Sequence, residues 1–261
     1  MGQQPPGLTT TEPFAPGLVS TPGYEYGATF ASDINTFHFI RGEGGAASHQ
    51  FIAFEQDETG WRQTVLGARL GQPFAAPDGE TLYLGLRAMT RTGSGWSDVE
   101  VLGPPFSEFE IMRLTASASG TRVFDEIGSA AGDGLVRLSR QVNGAYEAPT
   151  PLPAEINTGT VNAHPFLAPD DSFILWDRRR ESGNGGSDIY VSFCTDQGGW
   201  SPAVNLGEAV NTDAWEASAS VTPDGRFLMF HRMVGAREED SLPDVDIYWV
   251  DARVLDALRP E

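Results

Sequence analysis

A chain of 261 residues holds one large domain or two small ones, and β folds of this size are often one. The formal net charge is −19, a surface that repels nucleic acid and anionic membranes, so neither is an expected partner. No apolar run reaches the roughly 18–20 residues that span a bilayer. All 17 basic residues are arginine, which excludes Schiff-base, P-loop-lysine and Ser–Lys chemistry.

The chain opens on "MGQQPPGLTTTEP", with neither a charged n-region nor an apolar h-region. The expected compartment is therefore the cytoplasm, or the periplasm or exterior if a leader has been removed. A phrase follows, "VSTPGYE" at 19–25, that returns as "INTGTVN" at 156–162 and "VNTDAWE" at 210–216. Each copy has a β-branched residue, Ser or Asn, Thr, three variable residues, then Glu or Asn. Asp33, Asp170 and Asp224 lie eight residues beyond that last position, and Arg41, Arg178 and Arg232 eight beyond the Asp. Weaker copies run from Leu70 through Asp78 to Arg87, which like the other arginines is expected to end a second strand, and from Ile111 through Ser119-Gly120 to "VFDE".

Between Glu/Asn and Asp the residues alternate or are wholly apolar, as in a strand. Pro-Asp-Gly then supplies a turn, because Pro presets φ, Asp bonds the following backbone and Gly accepts a positive φ. An aromatic and β-branched run such as "RFLMFH" forms the next strand. A third run follows at "HQFIAFE", "GLVRLSR", "SDIYVSF" and "VDIYWVD". A fourth opens at an aromatic residue: Trp61, Trp96, Tyr146 or Trp200. The period is 41 to 54 residues, five times over. Four strands at that period predict an all-β fold: a single five-bladed β-propeller of four-stranded antiparallel blades. The blades fall at about 22–67, 68–106, 107–155, 156–208 and 209–254. The fifth lacks an aromatic-led strand and ends in a short helical tail, "RVLDALRP". The stretch "TEPFAPGLVST" resembles "WSPAVNLGEAVNT", so an N-terminal strand at 10–21 is expected to close the last blade.

These pieces, "PDG" before an apolar strand, then "DIY", then "W-x-x-P/V…LG", resemble the WD40-like repeats of the TolB/PD40 propeller families, most closely over 156–251. The resemblance covers nearly the whole chain and implies the fold. It leaves the activity open, since related propellers include scaffolds, peptidase gating domains and oligogalacturonate lyases.

In a propeller the first strands line a central channel. Counting back from the turn Asp, positions −8 and −6 share a face. They supply Glu25, Asn162 and Glu216, and Gln72, Arg113 and His164, with Glu110 beside them. Two carboxylates, an imidazole, an amide and a guanidinium make a mixed cluster suited to acid–base work or ligand binding. Glu25, His164 and Glu216 are the catalytic candidates. Gln72, Arg113 and Asn162 are ligand-binding candidates, as are Arg41, Arg178 and Arg232, whose guanidiniums suit a carboxylate or phosphate. The structural alternative is that the repeated Glu and Arg residues pair with each other, since repeated residues usually do repeated jobs. Oligogalacturonate lyases use His and Gln around a metal, and here His164 and Gln72 would fill those parts. Four scattered histidines give no HExxH motif. No cofactor is therefore expected, though the acidic turns leave room for a divalent cation. His38 and His231 correspond and read as packing, and His49 as exposed. Cys194 excludes an internal disulfide and reads as a core residue. The loops "RRRESGNGGSD" and "GAREEDSLPD" read as solvated.

Two functions remain. One is a binding module for a small molecule, glycan, peptide or protein partner, with Trp61, Trp96, Trp200 and Trp215 able to stack on sugars. The other is a hydrolase or lyase on a carbohydrate or lactone.

Overall fold

A computed structural model describes residues 5–42, 48–93, 95–128, 134–179, 186–235 and 243–260. The two solvated loops of the sequence reading lie largely outside these. The described residues are nearly all β.

A two-residue strand, β1 (Glu12–Pro13), precedes the first meander: β2 (Tyr24–Phe30), β3 (Thr36–Gly42), β4 (His49–Asp57) and β5 (Gly60–Ala68). The second meander is β6 (Pro73–Ala75), β7 (Thr81–Leu84) and β8 (Arg87–Thr92), with β9 (Gly95–Trp96) and β10 (Glu100–Val101) both paired to β8. The third is β11 (Ile111–Ala116), β12 (Arg122–Glu126) and β13 (Leu135–Ser139), then a small hairpin, β14 (Gln141–Val142) and β15 (Ala145–Tyr146), and an outer strand, β16 (Thr150–Pro151). The fourth is β17 (Asn162–Leu167), β18 (Phe173–Arg179), β19 (Ser187–Phe193) and β20 (Val204–Asn205). The fifth is β21 (Glu216–Val221), β22 (Phe227–Met233) and β23 (Val245–Asp251). The tail after it is two 3₁₀ turns, Ala252–Val254 and Asp256–Leu258.

β1 lies antiparallel against β23, Glu12 opposite Trp249 and Pro13 opposite Tyr248. Phe14 N donates to Ile247 O at 2.7 Å and Ser20 Oγ to the same carbonyl at 3.0 Å. A single parallel bridge, Tyr24 to Val245, ties the first meander to the fifth. The first strands pack in sequence, β2 on β6, β6 on β11, β11 on β17, β17 on β21 and β21 on β2.

The turns follow the chemistry of Pro-Asp-Gly. Asp33, Asp78, Asp170 and Asp224 each accept from the backbone N–H two residues on, at 2.8–3.2 Å. Gly79, Gly120 and Gly225 take the next position with φ of 73°, 85° and 72°.

Apolar side chains of neighbouring meanders meet face to face. Phe37, Phe39, Leu114, Trp176 and Phe230 are fully buried there, each contributing about 1.5–3 kcal/mol. Trp61, Trp96 and Trp200 pack half-buried against such clusters, in keeping with a role in packing.

Two expectations are corrected. Cys194 is exposed, because it falls one residue past the end of β19, on an isolated bridge to Trp200. Arg87 does not end a second strand. The connection from β7 to β8 shrinks to Gly85-Leu86, so Arg87 opens the third strand and donates to Leu70 O at 3.0 Å.

Candidate functional site

The repeated phrase is a clamp made of Thr, Glu and Arg. Thr212 Oγ1 donates to Glu216 Oε1 at 2.5 Å, Arg232 Nε donates to the same oxygen at 2.8 Å, and Arg232 Nη2 donates to Val210 O at 2.7 Å. The first copy repeats it. Thr21 Oγ1 and Arg41 Nε donate to Glu25 Oε1 at 2.6 and 2.9 Å, and Arg41 Nη2 donates to Val19 O at 3.1 Å. One guanidinium thus holds the Glu carboxylate and the carbonyl of the β-branched residue, and the Thr hydroxyl holds the same carboxylate. Arg232 Nη1 also reaches Thr11 Oγ1 at 3.1 Å. In the middle copy the Asn162 amide, with its nitrogen turned toward them, donates to the carbonyls of Ile156 and Thr158, both at 3.2 Å. Arg178 stacks over Tyr190, 4.1 Å from the ring centre. Glu25, Glu216, Arg41, Arg232 and Asn162 therefore tie the segment that enters each meander to its first two strands, and Arg232 reaches the N-terminal segment as well.

His164, Arg113 and Gln72 do come together. The first strands of four meanders carry a register break, between Tyr26/Thr29, Ile111/Leu114, Ala163/Phe166 and Ala217/Ser220. Such a bulge re-aims the side chains at it. Gly27, His164 and Ser218 sit at these breaks with φ of 68°, 49° and 54°, and Arg113 sits at the break in β11. The freed backbone amides go to two buried aspartates of the second strands. Asp125 Oδ1 accepts from Met112 N and Arg113 N at 3.1 and 2.8 Å, and its Oδ2 accepts from His164 N at 2.8 Å. Asp177 Oδ1 accepts from Ser218 N at 2.9 Å and pairs with His164 Nδ1 at 2.8 Å. Ser218 Oγ donates to Gln72 Oε1 at 2.8 Å. Arg113 Nη1 donates to the carbonyls of His164 and Ala219 at 3.3 and 3.1 Å. One network thus joins the second, third, fourth and fifth meanders.

Its charges balance once His164 is protonated, Arg113 and the imidazolium standing against Asp125 and Asp177. Burial pushes the Asp125 carboxyl up, while His164 and the amides hold it back. Burial also lowers Arg113 to about 10, against the pull of Asp177 and Asp125. For His164 burial acts downward, but the charge and hydrogen bond of Asp177, with Asp125, outweigh it and the net shift is upward. The His164 side chain keeps 9% exposure, and its Nε2 makes no hydrogen bond among the described residues.

A line of rings leads from His164 to the outer end of the first strands. His164 meets His231 at 6.3 Å, and His231 meets Trp215 at 4.9 Å and Tyr26 at 6.0 Å. Tyr26 and His49 share a 2.8 Å hydrogen bond, and Tyr24 lies against both rings. Arg69 lies over the Tyr26 ring at 5.8 Å. His49 is thus half-buried in a ring cluster rather than exposed. His231 is buried with neither nitrogen hydrogen-bonded, and desolvation with the nearby His164 and Arg113 charges pulls it well below the ordinary imidazole value. Asp125 and Asp177 went unnoticed in the sequence. They are carboxylates that directly follow apolar runs in the second strands, "VFDE" and "ILWDR", a placement costly enough to flag.

Among the described residues no group of three or more His, Cys, Asp and Glu is arranged to hold a metal ion. Among the described residues no helix is long and apolar enough to cross a membrane.

No protein-family model matches the chain, and the comparison with curated proteins finds no match. Solved structures do match in fold. The catalytic domain of the GH62 α-L-arabinofuranosidase of Coprinopsis cinerea is 9% identical with a TM-score of 0.54, over 93% of this chain and 94% of that one. The α-L-arabinofuranosidase of Lactobacillus brevis is 13% identical with a TM-score of 0.53, over 89% and 91%. TolB of Acinetobacter baumannii is 10% identical with a TM-score of 0.53, over 88% of this chain and 54% of that one, so the chain spans about half the length of TolB. At such identities the likeness is one of fold, and the fold is of the β-propeller kind.

Proposed function

We propose that the chain is a five-bladed propeller of the PD40 type, closed by its N-terminal strand, and that it works as a ligand-binding module. The pairing of β1 with β23 and the ring of first-strand contacts support the blade count and the closure. The ligand, a small molecule, glycan or peptide side chain, sits at the mouth where the first strands begin. The observation that carries this reading is the run of rings Tyr24, Tyr26, Trp215 and His231 ending at His164. Its half-buried members, Tyr24 and Trp215, offer flat apolar faces over the buried Tyr26 and His231, as sugar and aromatic ligands require. Gln72 and Arg113 belong to the wall beneath it. The acidic surface argues against nucleic acid and membranes as partners.

The alternative, a carbohydrate- or lactone-directed hydrolase or lyase, rests on the His164–Asp177 pair, an imidazole oriented by a carboxylate. It is the weaker reading because Glu25 and Glu216 are spent on Arg41 and Arg232, leaving His164 without a second acid or base of those two. The test is a thermal-shift panel of neutral, acidic and amino sugars and divalent cations on wild type, Trp215→Ala and His164→Ala. Ligand binding raises the melting temperature by mass action. The expected result is a shift in wild type that is lost in Trp215→Ala. A panel without any shift, or a shift indifferent to both substitutions, sinks the proposal. Turnover of a shifting ligand that stops in His164→Ala selects the alternative.

A further inference from the structure

The turn that joins first to second strand places Ile34, Gly79, Gly120, Asp171 and Gly225 in one position. All five have positive φ, 62°, 73°, 85°, 61° and 72°. Glycine suits that conformation and a short Asp tolerates it, whereas a β-branched residue is a genuine outlier there. Such strain persists where something else is gained, and it gathers at functional surfaces. Burial offsets only part of it, since Ile34 keeps 36% exposure.

Ile34 lines a hollow of about 220 Å³ together with Phe14, Phe30, Trp61, Phe227 and Trp249. A second hollow, of about 270 Å³, opens on the other side of Phe30, walled by Phe74, Phe166, Pro77, Pro169 and Pro223. The two share Phe30, and adjacent residues of one turn, Thr222 and Pro223, line one each. A dry cavity of about 150 Å³ accepts a benzene ring, so each hollow has room for a ring-sized or branched apolar side chain. Phe74 and Phe166 meet edge to face at 6.1 Å in the inner wall. These are the turn ends of the strands, opposite the ends that carry Glu25 and Trp215.

Exposed carboxylates stand around both hollows. Asp33, Asp78, Asp170 and Asp224 each adjoin or form part of the lining. Against them the lining holds Arg226, whose guanidinium lies 5.2 Å from the Phe227 ring. Arg253 and Arg259 belong to the neighbouring cleft beside Asp170.

We propose that this face binds an extended basic peptide that seats two apolar side chains, one in each hollow. The acidic tips select the peptide's charge, and the hollows select its two apolar residues. A second copy of this chain, at net charge −19, and an anionic lipid surface are both repelled by the same rim.

The experiment titrates the full chain into short fluorescein-labelled peptides of Arg and Ser carrying two Leu at graded spacings, read by anisotropy. Controls replace Arg by Glu, or Leu by Gly. At least one Arg/Leu peptide is expected to bind, more weakly as salt rises, and neither control to bind. Ile34→Asn relieves the backbone strain, so it is expected to melt at a higher temperature yet lose about tenfold in affinity. Asp33→Asn with Asp224→Asn keeps the turn acceptors, removes two charges and is expected to weaken binding and flatten its salt dependence. Failure of every Arg/Leu peptide, equal binding of the Glu control, or full affinity in Ile34→Asn overturns the proposal. Loss of binding in Trp215→Ala with Ile34→Asn unaffected overturns it as well, by moving the peptide to the opposite mouth.

Discussion

Asn162 faces Arg178 across the β17–β18 ladder, as Glu25 faces Arg41 and Glu216 faces Arg232, but no ion pair joins them. The amide of Asn162 bonds the Ile156 carbonyl, the residue whose counterparts Val19 and Val210 are held by arginine elsewhere. Arg178 instead covers Tyr190. The two clamps with Glu are predicted to be coupled units. A double-mutant cycle on Glu216 and Arg232 should give about 1–3 kcal/mol of coupling, and one on Asn162 and Arg178 less than about 0.5 kcal/mol. Equal couplings would show that the clamp is not the purpose of the phrase.

His38 and His231 are buried imidazoles without hydrogen-bond partners on either nitrogen. Desolvation, with Arg91 nearby, lowers His38 to about 4. A depressed histidine gives stability that is complete above its ordinary pKa of 6.5 and drains away as pH falls toward about 4. His38→Phe should therefore raise stability by about 1 kcal/mol at neutral pH, since it removes unsatisfied polar atoms, and by more at pH 5. Chemical denaturation at the two pH values checks this.

Asp246 behaves in the opposite sense. Partial burial, with the charges of Asp244 and Glu25, raises it to about 6. A raised carboxyl stabilises fully below the ordinary 3.8, and that contribution is lost as pH rises toward about 6. Asp246→Asn should then be more stable than wild type at pH 7, by about 1 kcal/mol after screening of a half-exposed group, and no more stable at pH 3.5. Calorimetry at both pH values gives the comparison.

Removal of residues 1–20 deletes β1, Phe14 and the Ser20 contact with Ile247. The truncated chain should melt lower, and hydrogen exchange should quicken first in β23, with β12 and β13 protected as before. Uniform exchange across all meanders would contradict the closure reading.

The repeat made much of this legible in advance. Strands, Pro-Asp-Gly turns and the Glu–Arg pairing follow from local chemistry written several times over. What stayed hidden was written once. The bulges that turn Arg113 and His164 toward Asp125 and Asp177 depend on pairing between strands, which the −6 spacing does not encode. His38 and His231 read as corresponding packing residues; both are buried, but the register gives His231 the place of Ile40, one residue before the strand-ending arginine, and so sets it between Trp215 and His164. Cys194 looked like core by composition, and one residue of register put it outside.

The chain has only His38, His49, His164 and His231, so each imidazole can be followed separately by NMR while a stabilising ligand is added. The account predicts that His164, His231 and His49 signals move together and that His38 does not. A ligand that raises the melting temperature while leaving those three unmoved would contradict a site at the channel mouth.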